Sequence, residues 1–510
     1  MEVNLINFRD YVMVCNSTGN QPVNLIPALQ FGITQIVTIS TEQALKQRWT
    51  EKLQLVAKNY SIIVSDLAVP SRLEKSLPDL TNLILSSINN HSKIAWNISG
   101  GQKIPTIALH EVFRERIRCG HSGDVVVYTE GKPPTIWFHD SNYLVSSIKS
   151  NVFLSLEDVL MLYGSRKTQG EMLYPHLSKK IEICLETGSK ALQYFVDDKL
   201  FREAFFALMR PSEDSARSIA EVKELARKIL EGNKPAFQTL SIEHNEGYKR
   251  LEKEIGNVFK EIDNSSSLAD LKKRIKHLRS INQPKQIFDN YWQSIKSKTI
   301  EQVINALTIS RHELLTNTIS EEKTSRLVSQ ICSLGGIVDN FSGQICKEDV
   351  HKFSGITPRP GVLFEWMIAA LIMELIKTNE VVKNNISEIH INVGTQRSDD
   401  PEAKQDSEFD LVITTRFGTL ILFEMKTHDF SGDVAKGKEG AAYKKSGPFG
   451  KAVIIGPIMN DMIHINVRKE KEYDHYIDRK TQDQEKTASQ NNIQYWYLDD
   501  VKGKLMKELS

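Results

Sequence analysis

Four short, almost wholly apolar runs in the first 150 residues limit most strongly what this chain can fold into: Tyr11 to Cys15, Gln35 to Ile39, Ser61 to Ser65 and Lys93 to Ile98. A strand that meets water on one face alternates apolar and polar residues, because successive side chains point to opposite faces. Runs without that alternation are expected of strands covered on both faces, as in a parallel sheet flanked by helices. Stretches with helical spacing, Glu42 to Ala57 and Leu73 to Ile88, lie between them and supply the crossovers. The run Val125 to Phe138, interrupted by Gly131-Lys132-Pro133-Pro134, reads as a hairpin that closes the sheet.

The pattern changes twice further along. At roughly 100 to 200 residues per domain, the 510 residues require two to four domains. Residues 1–150 read as a Rossmann-like βα domain, 151–345 as a helical region rich in Lys, Glu, Ser and Leu, and 346–510 as a second domain. In the helical region, Leu251, Ile255, Val258 and Ile262 make one stripe, and Leu268, Leu271, Ile275 and Leu278 another. The last region opens with an apolar helix, Phe364 to Ile376, and continues through strands Ile389 to Val393, Phe409 to Thr414, Thr419 to Met425 and Ala452 to Ile455. It ends in a charged helical stretch and an edge strand, Gln494 to Leu498. The fold class is therefore α/β.

Charge and composition narrow the function classes. Sixty-five basic and sixty-four acidic side chains leave a net charge of +1, so any attraction to a polyanion has to be local. Hydrophobic residues at 40% and charged residues at 25% exclude a disordered or fibrous chain. Five cysteines without C-x-x-C spacing argue against a disulfide scaffold or a cysteine zinc site. No stretch approaches the roughly 18 uncharged apolar residues of a membrane span, so a cytoplasmic protein with no membrane partner is expected.

The residues that point to chemistry are Asp410, Glu424 and Lys426. In Leu420-Ile421-Leu422-Phe423-Glu424-Met425-Lys426, Glu424 and Lys426 share one strand face while Phe423 and Met425 take the other. Arg416-Phe417-Gly418 can turn the chain so that Asp410, opening the preceding strand, meets Glu424. Two carboxylates can hold a divalent cation that activates water against a phosphodiester, and a neighbouring lysine offsets charge on the phosphate. Glu365 is a fourth candidate, because Ile368, Ala369 and Ile372 mark its helix face as apolar. An isolated Glu-x-Lys can equally be a plain ion pair. Glu408, on the face of Asp410, is a weaker candidate in an acidic segment. Between residues 426 and 451, six lysines outnumber Asp429, Asp433 and Glu439, and Lys436, Lys438, Lys444 and Lys445 are expected to contact nucleic-acid phosphates.

Two loops of the first domain leave a strand and enter a helix with proline near its start: Asn16 to Asn24 and Asn97 to Pro105. Both expose backbone N–H groups where a parallel sheet binds phosphate ligands. The candidate ligand-binding residues are Ser17, Thr18, Gln21, Asn24, Ser99, Gly100, Gly101, Gln102 and Lys103. Neither a P-loop nor a G-x-G-x-x-G is present.

Asp410, Glu424-Met425-Lys426 and the helix carrying Glu365 resemble the PD-(D/E)xK nuclease superfamily, whose fold is restriction-endonuclease-like. The longer pattern Gly361-Val362-Leu363-Phe364-Glu365, Ser407-Glu408-Phe409-Asp410 and Phe423 to Thr427 resembles CRISPR ancillary nucleases that join this domain to a CARF sensor. The loop Asn97 to Lys103 resembles the N-x-T-G-G-T-K motif of such sensors, with Ser99 and Gln102 replacing the threonines. The resemblance implies that Asp410, Glu424 and the Met425 carbonyl bind Mg²⁺ or Mn²⁺ and that Lys426 assists the attacking water. It also implies that a homodimer binds a cyclic oligoadenylate, cyclic tetra-adenylate being the expected ring, and then cuts DNA in type III antiviral defence. Single-stranded RNA as the main substrate, and a non-catalytic nucleotide-sensing regulator, are the alternatives.

Overall fold

The computed structural model describes residues 8–202, 205, 260, 264, nine positions between 326 and 338, 360–459 and 484–509, without 89, 132, 133, 401, 403, 428, 429 and 431. The stripe residues Leu251 to Ile262 and Leu268 to Leu278 lie outside the described residues. The chain divides into two compact units, one made of residues 1–192, 336–352 and 361–510, the other of 193–335 and 353–360. In the second unit the buried rings of Phe195 and Phe205 meet edge to face at 5.2 Å.

The first unit contains two sheets. In the first, β1 (Val12–Asn16), β2 (Gln35–Ser40), β3 (Ile63–Ala68), β4 (Ile94–Asn97) and β5 (Val125–Glu130) are parallel, and β6 (Thr135–His139) and β7 (Val145–Lys149) continue antiparallel. The order β3-β2-β1-β4-β5-β6-β7 reverses direction between β1 and β4. The expectation of two covered faces holds at the centre: Met13 and Cys15 enter one core, and Val12 and Val14 the other. It fails for the run Ser61 to Ser65. That segment forms the edge strand β3, with Ile63 71% exposed, because apolar content does not distinguish a central strand from one paired on a single side.

Helices α1 (Pro22–Phe31), α2 (Glu42–Lys46), α3 (Trp49–Ala57), α4 (Leu77–Ile88) and α5 (Lys103–Arg118) provide the crossovers. The expected helix Glu42 to Ala57 is broken between α2 and α3, where Arg48 adopts a left-handed backbone, φ 55°. Leu80 and Ile84 of α4 and Leu109 and Phe113 of α5 cover one sheet face. The short α6 (Leu156–Leu162) lies on the other.

The second sheet corrects the helical reading of 151–345. Ser165–Tyr174 forms β8, pairing antiparallel with β9 (Ile386–Arg397) and completing the order β13-β12-β11-β10-β9-β8. Its residues Ser165-Arg166-Lys167-Thr168-Gln169-Gly170-Glu171 are polar, and an edge strand needs no apolar run to pair through its backbone. Strand β10 (Ser407–Thr415) pairs antiparallel with β9 and with β11 (Leu420–Met425), whereas β12 (Lys451–Ile455) and β13 (Gln494–Trp496) run parallel to β11. The further helices are α7 (Lys179–Asp197), α8 (Pro360–Thr378), α9 (Glu380–Asn385), α10 (Gly432–Ser446) and α11 (Val501–Leu509). The crossover from β11 to β12 is α10. Among the described residues no helix is long and apolar enough to cross a membrane.

The two sheets share one hydrophobic core. Leu156, Val159 and Leu160 of α6 pack in it together with Met13 and Cys15 of β1, Val412 of β10 and Leu422 of β11. Ser155 caps α6, accepting the Asp158 N–H at 3.1 Å, and Glu388 of β9 accepts the Leu156 N–H at 2.8 Å. The turn between β10 and β11 also reaches the first sheet. Gly418 has φ +68°, and a Cβ there would stand 2.7 Å from Pro22, the first residue of α1.

Candidate functional site

The charged residues of the second sheet converge at the end of the β10–β11 hairpin. Leu411 pairs with Phe423, so one step further along the antiparallel ladder Asp410 faces Glu424. The Asp410 carboxylate accepts the Met425 N–H at 2.6 Å. The Glu424 side chain is only 9% exposed and sits between two ammonium groups, with Lys426 Nζ at 2.5 Å from Oε1 and Lys438 Nζ at 2.5 Å from Oε2. Glu365 interrupts the buried face of α8, half-buried between the fully buried Phe364 and Trp366.

The electrostatics of these groups are mutually dependent. Burial raises the Asp410 pKa to about 7 together with the Glu424 charge, against the pull of the Met425 N–H, Lys426 and Lys438. Burial, followed by the charges of Asp410 and Glu424, pushes Glu365 well above the ordinary carboxylate range. For Lys426, burial opposes the charged form, but Glu424, Asp410 and Glu365 outweigh it and raise the pKa. Three acids and a lysine distant in sequence therefore act on one another through a poorly solvated space.

Among the described residues, no group of three or more His, Cys, Asp or Glu side chains is gathered closely enough to cage a metal. The donor set nevertheless fits a hard divalent cation in kind: carboxylate oxygens crowded where burial disfavours their charge, which a cation would compensate.

The four lysines expected to touch phosphate divide three ways. Lys436 and Lys444 are exposed on α10. Lys438 turns inward to Glu424, donates to the Glu408 carbonyl at 2.5 Å and lies 5.1 Å from the Phe409 ring centre. Lys445 is a correction: it is 3% exposed and binds both Asp406 oxygens, at 2.7 and 2.8 Å, and Ser165 Oγ at 3.0 Å. It ties α10 to β8 and to the segment entering β10, and has no face left for a ligand. The signal was present in the sequence. Ala435 and Ala442 mark the face of α10 that packs on the sheet, and Lys438 and Lys445 lie three residues beyond each. Glu408 is exposed and accepts Gln169 Nε2 at 3.3 Å through its side chain.

In the first sheet, the loops after β1 and β4 flank the point where strand order reverses, and a cavity of about 210 Å³ opens there. Ser17, Thr18, Gly101 and Gln102 line it, with Asn16 and Trp49, two residues that sequence reading passed over. A tryptophan opening a helix carries no motif that marks it as a wall of a distant loop. Gly101 has φ +105°, and a Cβ there would meet Asn16 at 2.5 Å, so backbone approaches side chain as only glycine permits. Gly100 is similarly confined between Thr18 and Val23, each 3.0 Å from where a Cβ would stand. Lys103, the first residue of α5, is exposed beside the cavity.

Three other expected ligand residues are engaged in holding the loops. Gln21 donates to the Trp49 carbonyl at 2.5 Å. Asn24 donates to the Asn16 carbonyl at 2.8 Å and accepts from Asn97 at 3.1 Å. Ser99 donates to Asn97 Oδ1 at 2.5 Å and accepts the Thr129 N–H at 2.8 Å. Ser17 is partly engaged as well, accepting from Thr50 at 3.0 Å.

No family model matches the sequence, and no curated protein matches it. Solved structures with an overall likeness include a Vibrio cholerae protein, VC1899, at 14% identity and TM-score 0.48, covering 98% of this chain and 97% of that one. Can2 from Sulfobacillus thermosulfidooxidans, in complex with cyclic tetra-adenylate, has 10% identity and TM-score 0.46 over 98% of this chain and 96% of its own. A type III CRISPR defence DNA nuclease activated by cyclic oligoadenylate has 11% identity and TM-score 0.35 over 87% of this chain and 45% of its own. Likenesses this distant carry no argument about activity, and the fold stands on strand order and register.

Proposed function

We propose that the chain is a metal-dependent nuclease of type III CRISPR defence, switched on by a cyclic oligoadenylate held at the loops after β1 and β4. The observation that carries the reading is the convergence of Glu365, Asp410, Glu424 and Lys426 in one buried, electrostatically coupled cluster. Neutral structural networks need no such concentration of charge, which is costly to bury.

Asp410 and Glu424, with the Met425 carbonyl, would hold Mg²⁺ or Mn²⁺, which supplies an acidified water and a polarised phosphoryl oxygen when bound. Asp410 is oriented by the Met425 N–H, and Glu424 is fixed by its lysines. Lys426 keeps a positive charge beside both acids, where negative charge builds on the phosphate. Glu365, with its acidity weakened by burial, is set to hold a proton next to the reacting water. Exposed Lys436 and Lys444 would meet backbone phosphates without reading bases.

DNA is the proposed substrate, and a homodimer the proposed form, with the ring ligand lying across the two copies. The test is a cleavage assay with Mg²⁺ or Mn²⁺, with and without cyclic tetra-adenylate, on supercoiled DNA and on single-stranded RNA. Wild type is expected to cut DNA only with metal and activator, and Glu424→Ala to lose about 100-fold or more in rate. Equal cutting by Glu424→Ala would remove the site assignment, and faster cutting of RNA would reassign the substrate.

A further inference from the structure

Lys438 differs from every other lysine on α10. Lys436 and Lys444 face water, and Lys445 is occupied by Asp406 and Ser165. Lys438 alone among these reaches the acidic cluster. Its position has three supports: Glu424 Oε2 at 2.5 Å, the Glu408 carbonyl at 2.5 Å, and the Phe409 ring at 5.1 Å. Two of the three belong to β10 and do not depend on Glu424. Lys426, by contrast, approaches the cluster from the end of β11 itself and has its close ion pair with Glu424 Oε1.

On this basis we propose that Lys438 is a positioning residue for the nuclease site: an ammonium carried by the crossover helix that fixes the rotamer of Glu424 through Oε2, while Lys426 pairs with Oε1. The inference rests on the nuclease reading above. With Glu424 only 9% exposed, its carboxylate has little water to orient it, so its direction is set by its ion pairs with the two cations, Oε2 making no hydrogen bond of its own. Each carboxylate oxygen keeps a further lone pair for another partner, so the grip of Lys438 on Oε2 is compatible with a ligand that Glu424 and Asp410 share. The supports from β10 also tie the helix to the strand of Asp410, so that the carrier of one acid sets the geometry of the other.

The experiment compares wild type, Lys438→Ala, Lys438→Arg and the exposed control Lys436→Ala in the activator-dependent cleavage assay. A second measurement reads the Mn²⁺ concentration that half-saturates the Mn²⁺-dependent rise in Tm, without substrate. For Lys438→Ala, kcat is expected to fall about 10- to 100-fold, the substrate KM to stay within about twofold, and half-saturating Mn²⁺ to rise about tenfold, as for groups that orient metal ligands. Lys438→Arg should recover part of kcat, and Lys436→Ala should alter KM alone. Should Lys438→Ala fail to fold, Lys438→Met keeps a side chain of similar length without the charge and carries the same measurements. Retained kcat with a raised KM would make Lys438 a phosphate contact and overturn the inference, as would unchanged half-saturating Mn²⁺. A wild type that does not cut would instead overturn the nuclease reading on which the inference stands.

Discussion

At the carboxyl ends of β1 and β4 the buried polar side chains are neutral and bonded to one another, whereas at the end of the β10–β11 hairpin they are charged. In the first place Asn24 joins the Asn16 carbonyl and Asn97, while Ser99 joins Asn97 to β5. In the second, burial and the neighbouring acids raise the proton affinity of Asp410 and Glu365, and two lysines pair with Glu424. A neutral network bonded largely within itself, with Asn16 Oδ1 and Gln21 Oε1 left without a partner, makes a platform that suits recognition of a ligand by shape and backbone N–H groups. A charged cluster that folding alone does not relieve suits chemistry, because its remaining demand for positive charge is met from outside. The two regions therefore should respond oppositely to neutralising or truncating substitutions.

The largest expected effect is on the charged side. Asp410→Asn keeps an acceptor for the Met425 N–H but removes the charge; cutting should fall about 100-fold or more, while Tm in chelator does not fall. A parallel fall in Tm and activity would make Asp410 a structural ion-pair member and erase the contrast. On the neutral side the effect should be on stability. Asn97 is fully buried and bridges the Val23 carbonyl, Asn24 and Ser99, so Asn97→Ala leaves several buried partners unsatisfied and should cost about 1–3 kcal/mol in denaturant unfolding. A cost within measurement error would show that the platform is held by something other than this network.

The contrast also explains what could be read from the chain. The central strands of the first sheet were legible because two covered faces impose an unbroken apolar run, as in Met13-Val14-Cys15. The cluster of Asp410, Glu424 and Lys426 was legible because a tight turn at Arg416-Phe417-Gly418 fixes hairpin register, and register fixes which side chains meet. Strand β8 was not, since its side chains are polar and its pairing partner lies more than 200 residues away. The occupation of Gln21, Asn24 and Ser99 was hidden for a related reason. Their residue types suit a ligand as well as they suit a neighbouring loop, and only the approach of β4 and α3 decides. Lys438 was visible as a helix-face residue, but helix spacing does not reveal what the face meets.

The smallest expected effect lies where the two regions join. Glu388 of β9 accepts the first N–H of α6 and pairs with His390 at 3.0 Å. Burial alone would raise its pKa, but the hydrogen bonds from His390 and the Leu156 N–H outweigh burial and lower it below the usual glutamate value. A carboxylate with a lowered folded-state pKa adds stability above its unfolded value and loses it as the pH falls through the folded one. Comparing Glu388→Gln with wild type, the variant should be less stable by about 0.5–1 kcal/mol near pH 7, the worth of a charge at a helix start, and the gap should close as the pH falls through the glutamate range. A gap that stays constant with pH would mean that Glu388 holds α6 as a neutral hydrogen-bond acceptor. The joint between the sheets would then belong with the uncharged platform and not with the acidic cluster.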